Sequence, residues 1–367
     1  MEDYRLASWY RGKKVFVTGH TGFKGAWLTL WLLSLGAEVA GYSLGPPTDP
    51  ALFSDLHIKD RIRHTPGDVR DGENLTRALL DFEPEIVFHL AAQALVRVSY
   101  REPVESFETN IMGTARFLEA VRKVPSVQAA VVVTSDKCYE NREWVYAYRE
   151  NDAMGGYDPY SASKGCAELV TAAYRNSFFR EEGAGIASAR AGNVIGGGDW
   201  ALDRLVPDCI RALSKGETII LRNPQATRPW QHVLEPLSGY LTLAWRLAQD
   251  KQRYASGWNF GPADADVLSV LDVVKQVIAL WGQGGYEVRS QGEPHEAQLL
   301  RLDIGRARTL LQWKPVYSAA LAIQESVRWY RAREEAYSSL PEFTLAQIER
   351  YVQAAQTNGL FWAECVS

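Results

Sequence analysis

The stretch KVFVTGHTGFKG (14–25) decides the fold. Its first five residues are an apolar, β-branched run, which reads as a buried strand. The run leads directly into Gly19, Gly22 and Gly25 at three-residue spacing, and then into an apolar helical pattern from about Gly22 to Leu35. A tight turn needs the first glycine, and close approach of the backbone to a pyrophosphate needs the second. The third allows close helix–sheet packing, while the helix N-terminus faces the anion. With a second strand at EVAGYS (38–43), the segment opens a βαβ unit. The expectation is dinucleotide binding, with Gly19, His20, Gly22, Phe23 and Gly25 at the cofactor. The alternative is a glycine-rich connection that binds nothing.

The same alternation continues outward. A polar helix is expected near 71–82, a strand at EIVFHLA (85–91) and a helix over about 103–123. A strand at AAVVVTS (129–135), a helix from about Tyr160 to Arg180 and a strand at GIASARA (185–191) follow. Nearly continuous apolar strands separated by helices signal a parallel sheet covered on both faces. The fold class is therefore α/β, a doubly wound parallel Rossmann sheet. Residues 1–190 are assigned to this domain, with a return segment at about 226–258. Glycines 196–198 and several prolines then punctuate shorter elements, and a helix is expected at 270–281. Residues 191–335 read as a smaller α+β lobe over the carboxyl edge of the sheet. Residues 336–367 read as a helical tail containing the amphipathic LAQIERYVQ (345–353).

With 367 residues, 46% of them hydrophobic, the chain can bury a core shared by two domains. A net charge of −4 offers no general attraction for nucleic acid or an anionic membrane, although a local pocket for one small anion is allowed. Four widely spaced cysteines (Cys138, Cys166, Cys209, Cys365) form neither a zinc cluster nor a disulfide framework, so a reducing compartment is expected. Residues 25–44 are briefly membrane-like, but Glu38 and three glycines interrupt them, and a helix followed by a strand fits better. The expectation is a soluble, cytoplasmic protein without a metal. Twelve Trp and seventeen Tyr suit either a core or stacking on a flat ligand.

Tyr160 and Lys164 form YSASK at the start of a helix, and an i, i+4 pair lies on one face. The Lys164 ammonium near the phenol should favour phenolate and lower the Tyr160 pKa toward neutrality, as a general base requires. TSDK (134–137) ends a buried strand, where doubly wound folds place their ligands.

These motifs resemble the extended branch of the short-chain dehydrogenase/reductase superfamily, whose glycine turn reads TGxxGxxG. The resemblance implies a Thr134–Tyr160–Lys164 triad. Thr134 would bond the substrate hydroxyl, Tyr160 would take its proton, and Lys164 would hold Tyr160 and the nicotinamide ribose. It also implies cofactor contacts from Asp68 and Val69 of GDVR (67–70) and from Leu90, Ala91 and Ala92 of LAAQALVRVSY (90–100). A helix N-cap is the alternative for Asp68. The second strand ends in GYSLG (41–45), with no acid and no nearby Arg, so the usual rule does not separate NAD from NADP.

The pair Asp136–Lys137 narrows the resemblance to nucleotide-sugar 4,6-dehydratases, and the Lys to the CDP-glucose 4,6-dehydratases. The blocks TSDKCYENREW (134–144), GGYDPYSASKGCAE (155–168), RAGNVIGGGDW (190–200) and RPWQHVLEPLSGY (228–240) are similar to that family. What this implies is an NAD-dependent internal redox cycle on CDP-glucose. It runs through C4 oxidation, loss of water across C5 and C6, and hydride return to C6, giving CDP-4-keto-6-deoxyglucose for deoxysugar (O-antigen type) biosynthesis. Asp136 would be the acid for the departing hydroxyl, with a pKa raised by burial. Lys137 would abstract the C5 proton as a neutral amine or stabilise the enolate as a cation. Arg228 is the diphosphate candidate, because its planar fork matches phosphate oxygens. Asn193 would bond the sugar-side phosphate or backbone, and Asp199 and Trp200 could frame the pocket. His295 and Arg301 are secondary contacts or a satisfied surface pair, and His89 reads as a satisfied core histidine. The helices at 103–123 and 160–180 resemble those that pair family members, so a homodimer or homotetramer is expected. The open alternatives are another NDP-sugar dehydratase or epimerase, and a non-catalytic NAD(P)-binding protein.

Overall fold

In the computed structural model, which describes residues 3–263, 267–289 and 300–366, six parallel strands carry the first half of the chain. They are β1 (Lys14–Thr18), β2 (Glu38–Ser43), β3 (Arg63–Pro66), β4 (Ile86–His89), β5 (Ala129–Val133) and β6 (Gly185–Arg190). A seventh strand, Gly257–Asn259, joins parallel to β6. The order across the sheet is β3, β2, β1, β4, β5, β6 and then the seventh strand. The chain reverses its direction of travel between β1 and β4, which opens the crevice at their carboxyl ends that doubly wound sheets use for ligands. Every residue of β4, β5 and β6 is buried, because helices cover both faces. The helices Phe23–Ser34 and Leu234–Gln249 pack on one face. Gly72–Phe82, Gly113–Arg122 and Pro159–Phe178 cover the other.

The helix expected over 103–123 is interrupted. Pro103–Phe107 and Gly113–Arg122 are α-helical, and Glu108–Met112 between them is a π-helical turn. Such a bulge re-aims a side chain. Here it turns Asn110 inward, where Nδ2 donates to the Gln93 carbonyl (3.0 Å) and to Ser163 Oγ (2.8 Å). That ties the loop after β4 to the Pro159–Phe178 helix.

Beyond β6 the chain builds short two-stranded pairings: Gln231–His232 with Val194–Ile195, Thr227–Pro229 with Val267–Ser269, and Tyr286–Val288 with Ile219–Leu221. The helix Val270–Trp281 starts on a reciprocal Ser269–Asp272 capping box. The tail contains the helix Leu340–Thr357, which is packed: Ile348, Tyr351 and Ala355 are fully buried. An antiparallel bridge between Tyr4 and Cys365 joins the two ends of the chain. Much of the tryptophan content is core, since Trp27, Trp31, Trp258, Trp313, Trp329 and Trp362 have almost no exposed surface. No described helix is long and apolar enough to cross a membrane, and all four cysteines are free thiols.

Candidate active site

The glycine turn forms a backbone cradle. Gly19 has φ +75°, and a side chain there would run into the Ala91 backbone at 2.6 Å. A Cβ on Gly25 would strike the Gly19 carbonyl, whereas one on Gly22 would meet only that same carbonyl at 3.4 Å, so its side of the turn is open. Leu90 N donates to Thr18 O (3.1 Å) and Ala91 N to Thr18 Oγ1 (3.3 Å), which sets residues 90–92 beside the turn. Phe23 opens the helix and faces Gly196, beyond β6. The His20 ring lies against Gly41 of β2, with Nε2 2.7 Å from His64 Nδ1. Burial pulls its pKa down to about 3, so the ring is neutral. Asp68 is paired with Arg70 (2.6 Å), which holds its carboxyl below the ordinary range. The helix N-cap is Asp71 rather than Asp68, with Asn74 N donating to Asp71 Oδ1 at 3.1 Å. Val69 is buried against Gly113. At the end of β2 the hydroxyls of Thr21 and Ser43 lie 2.8 Å apart.

The Tyr160–Lys164 helix begins where its sequence demands. Asp158 accepts from Ser161 N (2.9 Å), and Pro159 occupies the first helical position. Tyr160 is further fixed by its own N–H donating to Ser99 Oγ (3.1 Å). The expected fall of the Tyr160 pKa toward neutrality is not what this environment produces. Burial pushes the phenol up to about 12, with a hydrogen bond from Ser135 acting against the rise. Lys164 is itself desolvated, which pulls its pKa down to about 8, and Nζ lies 3.5 Å from the Val133 carbonyl. Desolvation dominates both groups.

Thr134 is corrected as the triad hydroxyl. Its Oγ1 donates to Glu168 Oε1 (2.5 Å), inside a buried network behind the site. Ser135 is the hydroxyl beside Tyr160. Ser135 Oγ donates to Asp136 Oδ1 (2.9 Å) and caps the short turn Asp136–Cys138. Successive residues at a strand end face opposite ways, so only one of the two hydroxyls can reach the phenol. Asp136 is buried and approached by Asn193 Nδ2 (3.4 Å), in the turn after β6. A Cβ on Gly192 would overlap its carboxylate. Asn193, in left-handed geometry at φ +49°, is thus directed at Asp136. Lys137 is half-buried in the same turn.

Arg228 is buried on the strand Thr227–Pro229, three residues before Gln231, whose N–H donates to the Asn193 carbonyl (3.2 Å). Asp199 is buried and ion-paired with Arg204 (2.8 Å), and the Arg204 charge acts against the rise of the Tyr160 pKa. Trp200 packs edge-on against Tyr330 under the Arg333 guanidinium, and Trp230 Nε1 donates to Leu268 O (3.2 Å). Trp144 stacks on Tyr148. Arg301 donates to Val145 O (2.6 Å), and His295 lies outside the described residues. His89 is a satisfied core histidine, bonded to Thr18 Oγ1 (2.8 Å) and stacked on Phe117. The motif reading missed Ser135, Ser99, Asn110, Lys24 and Arg204. Lys24 belongs to the quoted glycine turn, where burial lowers its pKa to about 8 near Asp136 and Arg204. The signal for Ser135 was the pair of adjacent hydroxyls in TSDK.

The family model described as GDP-mannose 4,6 dehydratase matches residues 16–326. A curated CDP-glucose 4,6-dehydratase from Salmonella typhimurium is 51% identical over 89% of this chain and 92% of its own. Among solved structures, a dTDP-glucose 4,6-dehydratase from Streptomyces venezuelae with NAD bound superposes with a TM-score of 0.76 at 24% identity, covering 89% of this chain and 99% of that one. A UDP-glucose 4-epimerase from Thermus thermophilus in complex with NAD gives 0.75 at 25% identity, covering 87% and 99%. The chain belongs to the CDP-glucose 4,6-dehydratase family.

Proposed function

We propose that this chain is an NAD-dependent hydro-lyase that converts CDP-glucose to CDP-4-keto-6-deoxyglucose for deoxysugar biosynthesis of the O-antigen type. The observation that carries the reading is the Asp136–Lys137 turn, set beside Ser135, Tyr160 and Lys164 in a chain 51% identical to a curated CDP-glucose 4,6-dehydratase. An oxidoreductase or epimerase needs the hydroxyl, the phenol and the ammonium, and only an elimination needs a further acid and base beside them.

The glycine cradle fits a dinucleotide. Its open side at Gly22 and the free N–H groups of the Phe23–Ser34 helix suit a pyrophosphate. Bound NAD supplies the hydride acceptor for C4 and the hydride that returns to C6. Gly19, Gly22, Gly25 and residues 90–92 would hold it, with Lys164 at the ribose of its nicotinamide. Ser135 orients the sugar O4 and Tyr160 takes its proton. The resulting ketone acidifies C5, Lys137 removes that proton, and Asp136 protonates the C6 hydroxyl as it leaves. Asn193 and Ser135 keep the Asp136 carboxyl aimed. Arg228 binds the diphosphate. The free cysteines suit the reducing cytoplasm. Val104 and Met112 on one helical segment and Leu169 and Phe178 on the Pro159–Phe178 helix are exposed, an apolar face suited to pairing two copies.

Incubation with NAD and CDP-glucose deuterated at C4 tests the reading. The expected result is loss of one water, deuterium at C6 and no net NADH. Net NADH, a C4 epimer or no turnover overturns it. Parallel reactions with dTDP-, GDP- and UDP-glucose check the base.

A further inference from the structure

The most heavily bonded carboxylate near the catalytic centre belongs to a residue that none of the chemistry above uses. Glu168 is buried on the Pro159–Phe178 helix, four residues beyond Lys164 and eight beyond Tyr160, so the three share one helical face. Its Oε1 accepts from Thr134 Oγ1 at the end of β5 (2.5 Å). Its Oε2 accepts from Ser188 Oγ (2.6 Å) and from Arg190 Nη2 (2.8 Å), both on β6. Thr134 immediately precedes Ser135, Asp136 and Lys137. One carboxylate therefore joins the strand end that presents the hydroxyl, acid and base to the helix that presents the phenol and ammonium. Arg190 extends the network, since Nη1 donates to Tyr139 OH (2.5 Å), and Tyr139 OH donates to Asn259 Oδ1 (2.7 Å) on the seventh strand.

We infer that Glu168 is a positioning residue of this active site: its carboxylate clamps the end of β5 to the Tyr160–Lys164 helix and supplies the negative charge that keeps Lys164 protonated. A charge buried this completely is retained only with several partners, and a Gln of the same shape would leave Arg190 uncompensated. The charged and titratable groups facing Glu168 are Arg190 on β6, Cys138 from the turn after β5, and Lys164 and Arg175 on its own helix. Lys164 is faced by Glu168, by Cys138, by His89 on β4 and by Lys24 from the Phe23–Ser34 helix. Burial depresses the Lys164 pKa, and Glu168 is the foremost group opposing it. Loss of that charge lets Lys164 deprotonate at lower pH.

The inference rests on the proposed dehydratase reaction, and two substitutions test it. Glu168→Gln should leave KM for CDP-glucose within about twofold, lower kcat at least about tenfold, and move the alkaline limb of the kcat–pH profile down. Glu168→Asp keeps the charge on a shorter arm, so kcat should fall while the alkaline limb stays at the wild-type pH. A Glu168→Gln enzyme with lowered thermal stability but an unmoved profile overturns the inference, as does an Asp variant whose limb shifts equally. A substrate-free measurement separates this outcome from failure of the reaction assignment. The Lys164 titration, followed by NMR of protein carrying carbon-13-labelled lysine, each protein against its Lys164→Met counterpart, should show a lower midpoint with Gln than with Glu or Asp. An unchanged midpoint overturns the role of Glu168 even if CDP-glucose is not the substrate. If the Gln variant does not fold, the Asp variant decides alone: a shifted limb or midpoint overturns the inference, and lowered kcat at unshifted pH supports it.

Discussion

Ser135 Oγ lies 2.9 Å from Asp136 Oδ1, so the hydroxyl beside the Tyr160 phenol also touches the buried Asp136 carboxyl. One side chain thus serves two stations of the site, while the adjacent Thr134 hydroxyl is committed to Glu168. Ser135→Ala should lower kcat by about 100-fold with little change in KM, because it removes a donor that orients proton transfer without removing substrate binding. Thr134→Ser, which keeps the buried hydrogen bond, should stay within about threefold of wild type. Steady-state kinetics on the two variants checks the assignment, and the reverse ranking would restore Thr134 to the triad.

In the proposed cycle Tyr160 and Lys137 act on different bonds, so their variants should fail at different steps. Tyr160→Phe should abolish C4 oxidation, so neither keto product nor exchange at C4 appears. Lys137→Ala should still allow oxidation and then stall at the 4-ketone of the unreduced sugar, visible as a hydrated C4 carbon by NMR of the quenched mixture. Loss of both steps in Lys137→Ala would make its role electrostatic support for the whole cycle, not removal of the C5 proton.

The glycine turn, the strand alternation and the YSASK and TSDK motifs made the Rossmann sheet and the neighbourhood of the site legible, because each rests on a local requirement of spacing or backbone geometry. Side-chain direction at the end of β5 was not legible. Both faces of that strand are buried, so no polar–apolar alternation marks which of Thr134 and Ser135 faces the crevice. The electrostatics of Tyr160 were misread for a related reason. Helical spacing places Lys164 beside it but says nothing of how much solvent both lose. The π turn at Glu108–Met112 leaves no gap in the helical pattern, so Asn110 became visible only through its contacts.

Gly192 packs directly against the Asp136 carboxylate. Any Cβ there would overlap the Asp136 carboxylate, so Gly192→Ala must push either the acid or the Asn193 loop aside. The expected outcome is a fall in kcat of about 100-fold, the scale of a misplaced catalytic group, with the fold retained by circular dichroism. Wild-type kcat in this variant would show that Asp136 does not need its observed position.

Lys164 should cost the protein stability in return for its role. Its folded pKa lies near 8, below the ordinary 10.5, so the unfolded chain binds the extra proton between those values. The penalty is therefore fully present below pH 8 and is relieved as pH rises toward 10.5. Lys164→Met, inactive but similar in shape, should be more thermostable than wild type at pH 7, and the difference should shrink by pH 10. Calorimetry at the two pH values checks both the sign and the trend, and a constant difference would remove the ionisation argument.

The tail beyond the family match packs on two buried acids: Glu325, which accepts from Gln347 and Arg350, and Glu235. Glu235, with no exposed surface, accepts from Val316 N (3.0 Å), from Tyr317 N (2.6 Å) and from Tyr351 OH of the Leu340–Thr357 helix (2.7 Å). The Tyr351 ring also stacks on Trp362 and meets Trp31 edge-on. Tyr351→Phe keeps those ring contacts and removes one donor from a buried carboxylate, which costs about 1–3 kcal/mol. None of these groups faces the catalytic turn, so kcat and KM should stay at wild-type values while the urea midpoint falls. Deleting residues 340–366 should instead prevent folding, because Trp31 and Glu235 would both lose their cover. An active, stable truncation would show that the tail is an accessory to the core, and an unchanged urea midpoint in Tyr351→Phe would show that Glu235 is satisfied without it.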